Sequence, residues 1–428
     1  MTPAAATMAW FWQAWLAAIV FVFPIPHTIA LRNLLLLIGV LALLATLRRA
    51  PRPPLPATLV PAAWALLATT AWLLLHSLAV APAPTVALDN LRGDWIVPLL
   101  TAVLAAFVTT RLEPRLAVRA VVVALLAHML WVLGWAFWHR IAAGPTWAWI
   151  AGRVPFAERD YQSTLNGFLF AVLLAERFAV LSSSRALALF PARLAWTALA
   201  VSLIADAILH TRNGIIVSTV LLLMAILWIS RHKPRYILLL LSVAILGSAS
   251  FVLDSRWSGL KDSLDVGWNS PSLYWLNGDP TLRPPTSSKA PLEDSAYARA
   301  AWAHRAVEAI GEQPLGRGFG RDGFGRAIAE KYGHSGMVSS HSGWLDFALG
   351  VGLPGLALLL LTAGLAIRGG WRQFRQHDDA AGLMLSFLTG GYLLRCLLDG
   401  HLSGWRLGLF AFLCGVLVAA MKYPQQKT

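Results

Sequence analysis

Charge is what this 428-residue chain has least of: 13% of its residues are charged, whereas 57% are hydrophobic. Soluble domains run nearer ~25% charged and ~45–50% apolar, so the composition excludes an ordinary soluble fold. Disordered, collagen-like and coiled-coil chains are excluded on the same grounds. Only two cysteines occur, Cys396 and Cys414, both inside apolar runs. They form no disulfide framework and read as small buried hydrophobes. No Cys/His cluster has zinc spacing, no Asp-x-Asp motif suggests a metal, and no glycosidase-type carboxylate pair stands out. Neither a basic leader nor a small-residue cleavage site opens the chain, so residues 8–23 are expected to be a retained helix.

What is present is hydrocarbon. Mean hydropathy is +0.61, and twelve apolar stretches approach the ~20 residues that a helix needs to cross ~30 Å of bilayer. They cover 8–23, 31–47, 59–80, 94–110, 116–138, 164–181, 190–209, 213–230, 235–252, 344–367, 380–398 and 403–421. The stretch 164–181 is the weakest, because Asn166 and Glu176 interrupt it. Between the ninth and tenth stretches lies the one long polar segment, about ninety residues and too long for a simple connection. The expected organisation is therefore 1–253 with nine spans, 254–343 as a polar cap, and 344–428 with three spans and a tail. Within the cap, 294–311 reads as an amphipathic helix. Tyr297, Ala301, Trp302, Ala306 and Ile310 recur at three- and four-residue spacing, and Gly311 makes a natural stop.

The net charge of +14 would suggest nucleic acid in a soluble protein. Mapped onto alternating loops it says something else. The connections after even-numbered spans, with Lys422 and Lys427, carry 17 basic residues against 4 acidic ones. The opposite side carries 18 against 17. Basic loops stay cytoplasmic, so both termini are expected in the cytoplasm, the cap outside, and no nucleic-acid partner.

On the outward side four groups stand out. Arg212 lies in the tight turn His210-Thr211-Arg212-Asn213-Gly214 between two apolar spans. It either snorkels to the interface or faces an anionic ligand, for which its planar donor fork is suited. Arg153 and Arg159 are interleaved with Trp147, Trp149, Phe156 and Tyr161. They could hold a phosphate at the membrane surface, or pair with lipid headgroups, Glu158 or Asp160. The stretch Pro314-Leu315-Gly316-Arg317-Gly318-Phe319-Gly320-Arg321-Asp322-Gly323 formally contains a dinucleotide fingerprint. Without a preceding strand that match is empty, and its useful content is backbone freedom. His341, in Ser339-Ser340-His341-Ser342-Gly343-Trp344, sits where the chain re-enters the membrane, placed for proton transfer or for a structural role. Gly352-Leu353-Pro354-Gly355 then predicts a helix break about three turns below it. Arg395, Asp399 and His401 cluster near the last two spans, with Asp399 positioned to neutralise Arg395 four residues earlier.

Together these residues resemble the O-antigen ligase family, within the wider O-antigen ligase/polymerase superfamily. Thr211-Arg212-Asn213-Gly214 is similar to the family's short arginine motif. Tyr297-Ala298-Arg299-Ala300-Ala301-Trp302 followed by Pro314-Leu315-Gly316-Arg317-Gly318-Phe319-Gly320 is similar to its Arg-x-x-Trp segment and glycine turn. His341-Ser342 with Gly352-x-x-Gly355 is similar to its histidine signature. Ile216 and Leu356 depart from the usual residues, which blunts the distinction between ligase and polymerase.

The resemblance implies an all-α polytopic membrane protein of GT-C-like architecture in the bacterial inner membrane. It implies transfer of O-antigen from undecaprenyl pyrophosphate to a sugar of the lipid A core on the periplasmic side. His341 would be base or orienter; Arg212 and Arg299 would meet charge on the leaving pyrophosphate. Arg153, Arg159 and Asp399 would be further substrate-binding residues. No metal or other cofactor is expected, and direct displacement would invert the anomeric centre. The rival readings are an O-antigen polymerase or protein O-oligosaccharyltransferase of the same superfamily, and a lipid or sugar transporter or flippase.

Overall fold

The computed structural model describes residues 3–46, 55–143, 159–183, 188–209, 211–232, 259–286, 291–333 and 336–421. Among the described residues the secondary structure is helical, without strands. In chain order the helices are α1 (Pro3–Val22), α2 (Ile29–Thr46), α3 (Val60–Ala79), α4 (Pro84–Leu91), α5 (Val97–Thr109) and α6 (Pro114–Ala143). They continue with α7 (Arg159–Ser182), α8 (Ala192–Ile208) and α9 (Arg212–His232). The polar segment supplies α10 (Leu260–Asn269), α11 (Tyr274–Asn277), α12 (Asp294–Glu312) and α13 (Gly323–Tyr332). The chain closes with α14 (Gly343–His377), α15 (Ala380–Leu398) and α16 (Gly404–Ala420). A π-helical turn, Arg92–Ile96, joins α4 to α5 without interruption.

Eleven of the twelve expected spans fall on helices, and the ninth, 235–252, lies outside the described residues. Seven helices among the described residues are long and apolar enough to cross a bilayer. The protein is an all-α polytopic membrane protein. Lipid tails offer no hydrophobic drive for helix pairing, so close packing must supply it. Gly370 of α14 and Gly382 of α15 show how: a Cβ on either would come within 2.3 or 2.6 Å of the other's carbonyl oxygen.

The stretch that looked weakest in the sequence is the most enclosed, with 83% of the α7 span buried. Its polar residues face other helices rather than lipid. Glu176 pairs with Arg177 and accepts from the Leu189 backbone N–H at 2.7 Å, while Asn166 donates to Asp206. Polar residues inside a span therefore mark the middle of the bundle here, as expected where hydrocarbon would leave them unsatisfied.

The helix α14 breaks at Gly352, whose φ of 77° and ψ of 172° are not helical. Pro354 has no N–H, so the carbonyls just above the break lose their partners. The glycine turn of the polar segment takes them up. Arg317 N–H donates to Leu349 O at 2.8 Å, Gly318 N–H to Gly350 O at 2.9 Å, and Leu353 N–H to Pro314 O at 2.9 Å. From α3, Trp72 Nε1 donates to Val351 O at 2.9 Å. Gly316 and Gly352 meet backbone to backbone, and each has positive φ. A Cβ on either would lie 2.5 Å from the other strand.

The polar segment has its own core, in which Tyr297, Phe324 and Ile328 pack on Ala348 and Leu349 from the first half of α14. Tyr297 and Phe324 are 1% and 0% exposed, each worth ~1.5–3 kcal/mol of burial. The amphipathic helix expected at 294–311 is α12. It runs through Gly311 to Glu312, because Arg317 Nη1 donates to Ala309 O at 2.7 Å and satisfies its last turn.

Candidate functional site

Three helix ends and one turn meet where the polar segment sits on the bundle. The α9 N-terminus contributes Arg212 and Asn213, held by Thr211, whose Oγ1 donates to Asp206 Oδ1 at 2.9 Å. Arg212 Nη2 reaches across to Glu293 Oε1 at 2.6 Å. Glu293 also caps α12, its Oε2 accepting from Ala296 N–H at 2.7 Å. One carboxylate thus starts the helix that carries Arg299 and fastens it to Arg212.

One turn apart on α12, Arg299 and Trp302 face the same side. Arg299 Nη1 donates to Asn213 Oδ1 at 3.4 Å, and its Nη2 lies 3.8 Å from Asp399 Oδ1. Trp302 stacks on His341, with ring centroids 4.9 Å apart and planes 18° from parallel. His341 is exposed and has a φ of 58°, the left-handed region that non-glycine residues seldom occupy. Such strain persists only where the surroundings over-determine it, and it clusters at functional sites. Here Asp346 Oδ1 accepts from Ser340 N–H at 2.7 Å, and Gly343 N–H donates to Asp399 O at 3.0 Å.

Asp399 is the hub beneath. It is 3% exposed. Its Oδ1 accepts from Asn213 Nδ2 at 2.8 Å, and its Oδ2 lies 2.6 Å from Arg395 Nε. Arg395 Nη1 in turn donates to Ser163 Oγ at 2.8 Å. Asp399, expected from its spacing to neutralise Arg395 and from the resemblance to bind substrate, is enclosed: it pairs with Arg395, and Asn213 and the Gly343 backbone N–H donate to it. His401, 2% exposed, lies beside it. Burial, then the neighbouring Arg406, Arg395 and His341, hold its pKa well below the ordinary histidine value.

Of the residues singled out from sequence, Arg212, Arg299, His341 and Asp399 come together. Arg153 lies outside the described residues. Arg159 is the first residue of α7, and its side chain lies outside them too. Sequence reasoning passed over Glu293, one of many acids in the polar segment. It also passed over Asp94, which a carboxylate inside an apolar span should have flagged. Arg321 Nη2 and Nε grip Asp94 at 2.6 and 2.9 Å. Among the described residues, no three His, Cys, Asp or Glu side chains are grouped to hold a metal ion.

The helical bundle is thus that of a polytopic membrane protein, with a strained histidine and carboxylate-paired arginines gathered at one surface site. Residues 197–360 match the family model described as O-antigen ligase, a stretch containing Arg212, Arg299 and His341. The match supports membership of the O-antigen ligase/polymerase superfamily and a glycosyltransferase-like enzyme. No curated protein matches the chain.

Proposed function

We propose that this protein is an O-antigen ligase, transferring glycan from undecaprenyl pyrophosphate to a sugar hydroxyl of the lipid A core. The observation that carries the reading is the linkage of Arg212, Arg299 and His341 through Glu293, Trp302 and Asp399. In the reaction the acceptor oxygen bonds to the anomeric carbon as its proton passes to His341. The bond from that carbon to the pyrophosphate oxygen breaks, and its electron pair stays on the leaving group. Arg212 and Arg299 meet that developing charge, with Arg153 and Arg159 as further contacts for the pyrophosphate. Preorganised donors of this kind contribute ~10²–10³-fold in kcat, and a placed base ~10²–10⁴-fold. One direct displacement inverts the anomeric centre. The bias of basic residues toward one set of loops supports an inner-membrane orientation with both termini cytoplasmic and the site on the periplasmic face.

Purified protein given both lipid substrates in the presence of a chelator tests this. Glycan on the core lipid is the expected product. Glycan lengthened on undecaprenyl makes it a polymerase, glycosylated protein an oligosaccharyltransferase, and movement without any glycoside a transporter. Loss of activity in chelator would overturn the metal-independent mechanism.

A further inference from the structure

A second polar compartment lies against the site. It is a cavity of about 190 Å³, of monosaccharide rather than polymer dimensions. Its walls include Asp94, Arg321, Phe347, Asp346, Arg406 and the 400–403 turn. Two short segments contribute both to this cavity and to the arginine cluster. In the first, Ser339 and Gly343 line the cavity, while His341 between them stacks on Trp302. In the second, Gly400 and Leu402 line the cavity, while Asp399 and His401 join the Arg395 network. His341 thus belongs to a segment whose Ser339 and Gly343 line the cavity, while its own ring stacks on Trp302 of the helix that carries Arg299.

We propose that the cavity is the acceptor-sugar subsite, an inference that rests on the transferase reading above and adds where its second substrate binds. Displacement with inversion requires nucleophile and leaving group on opposite faces of the anomeric carbon. With pyrophosphate held by Arg212 and Arg299, the acceptor hydroxyl must reach the face of the anomeric carbon turned away from those arginines, within reach of His341. The lining fits a neutral polyol better than a second pyrophosphate. Asp94 is held by both Arg321 bonds and also accepts from Gly404 N–H at 2.9 Å. Asp346, whose Oδ1 accepts from Ser340 N–H, offers a carboxyl group that can exchange hydrogen bonds with a hydroxyl. Phe319 and Phe347 add apolar wall on which a sugar ring can rest. The cavity shares Leu402 with an apolar groove of about 260 Å³ between α3, α5, α14, α15 and α16. An acceptor anchored by hydrocarbon chains therefore has a lining for its lipid beside the place for its sugar.

Two rim substitutions test this without removing a polar bond. Val338 is 57% exposed, and Ser403 precedes α16 without a side-chain capping bond; both line the cavity, so Val338→Trp and Ser403→Phe fill its space from two different segments. Binding to purified protein in detergent is measured with two probes, a lipid A–core glycolipid and undecaprenyl pyrophosphate. Each variant should weaken the glycolipid at least tenfold and change the pyrophosphate lipid less than twofold, while Arg299→Ala does the reverse. Unchanged glycolipid affinity in both variants, or parallel loss of the pyrophosphate lipid, overturns the assignment. Turnover by the unsubstituted protein reports separately on the transferase reading. A protein that binds glycolipid in this cavity yet forms no glycoside would sink that reading and leave the subsite standing.

Discussion

Arg299 and Arg395 both lie within reach of Asp399, and removing each should have opposite consequences. The Arg299 side chain is 36% exposed, 3.8 Å from Asp399, and makes one long bond to Asn213. Pairs that solvent reaches contribute ~0–1 kcal/mol, so Arg299→Ala should barely alter stability. In the proposed reaction the same guanidinium meets the developing pyrophosphate charge, where a lost donor costs ~2.7–4 kcal/mol of barrier, or ~10²–10³ in kcat. Arg395 is 5% exposed and bound to a carboxylate that is 4% exposed. Arg395→Ala would strand the Asp399 charge at a cost of ~3–5 kcal/mol. The assay pairs thermal unfolding in detergent with initial rates of glycan transfer. The expected result is a stable, slow Arg299→Ala and an Arg395→Ala that melts early. Because the same guanidinium also holds the pyrophosphate lipid before reaction, kcat/KM should fall further than kcat for Arg299→Ala. An Arg299→Ala protein keeping more than a tenth of wild-type kcat, or melting like Arg395→Ala, would refute the division between chemistry and scaffold.

Other consequences follow from the same geometry. His341→Ala and His341→Gly should both lose ~10²–10⁴ in rate, yet the glycine variant should be ~1 kcal/mol more stable because it suits the left-handed backbone, as paired melting curves would show. His401 binds a proton less readily when folded than when unfolded, so the unfolded chain holds more protons as pH falls below ~6.5. Stability should therefore be fully present above that pH and decline below it, by at most ~1.4 kcal/mol per pH unit, and His401→Gln should flatten the melting-temperature profile. Gly352→Ala meets the Leu315 backbone at 2.5 Å and also needs positive φ, so it should cost more than ~2 kcal/mol and reduce folded protein recovered from membranes.

Much of this was legible in the sequence because membranes impose length and polarity rules on single segments. The apolar stretches, the amphipathic α12 and the break at Gly352 each depend on residues within one window. What was not legible depends on partners distant in the chain. Nothing local distinguishes Glu293 from its acidic neighbours until Arg212, 81 positions away, is placed against it. The α7 span looked weak for the same reason: Asn166 and Glu176 lower its hydropathy, and only the surrounding helices show why they are tolerated. Asp399 was legible as the partner of Arg395 at four-residue spacing, but its hold on Asn213 and Gly343 belongs to the fold.

The glycine-rich turn and the broken helix are best understood as one device. An unbroken α14 would satisfy its own carbonyls and leave the polar segment nothing to bind at this depth. The break frees the carbonyls of Leu349, Gly350 and Val351, and the backbone of 317–318 and Trp72 occupy them. That fixes the start of α13 and the last turn of α12 against the first half of α14, which begins two residues after His341. The stack of Trp302 on His341 thus joins two elements already locked together below it. The arginine-bearing helix is thus held in two ways, by the buried core that Tyr297 and Phe324 share with Ala348 and Leu349 and by backbone hydrogen bonds that one glycine and one proline make available.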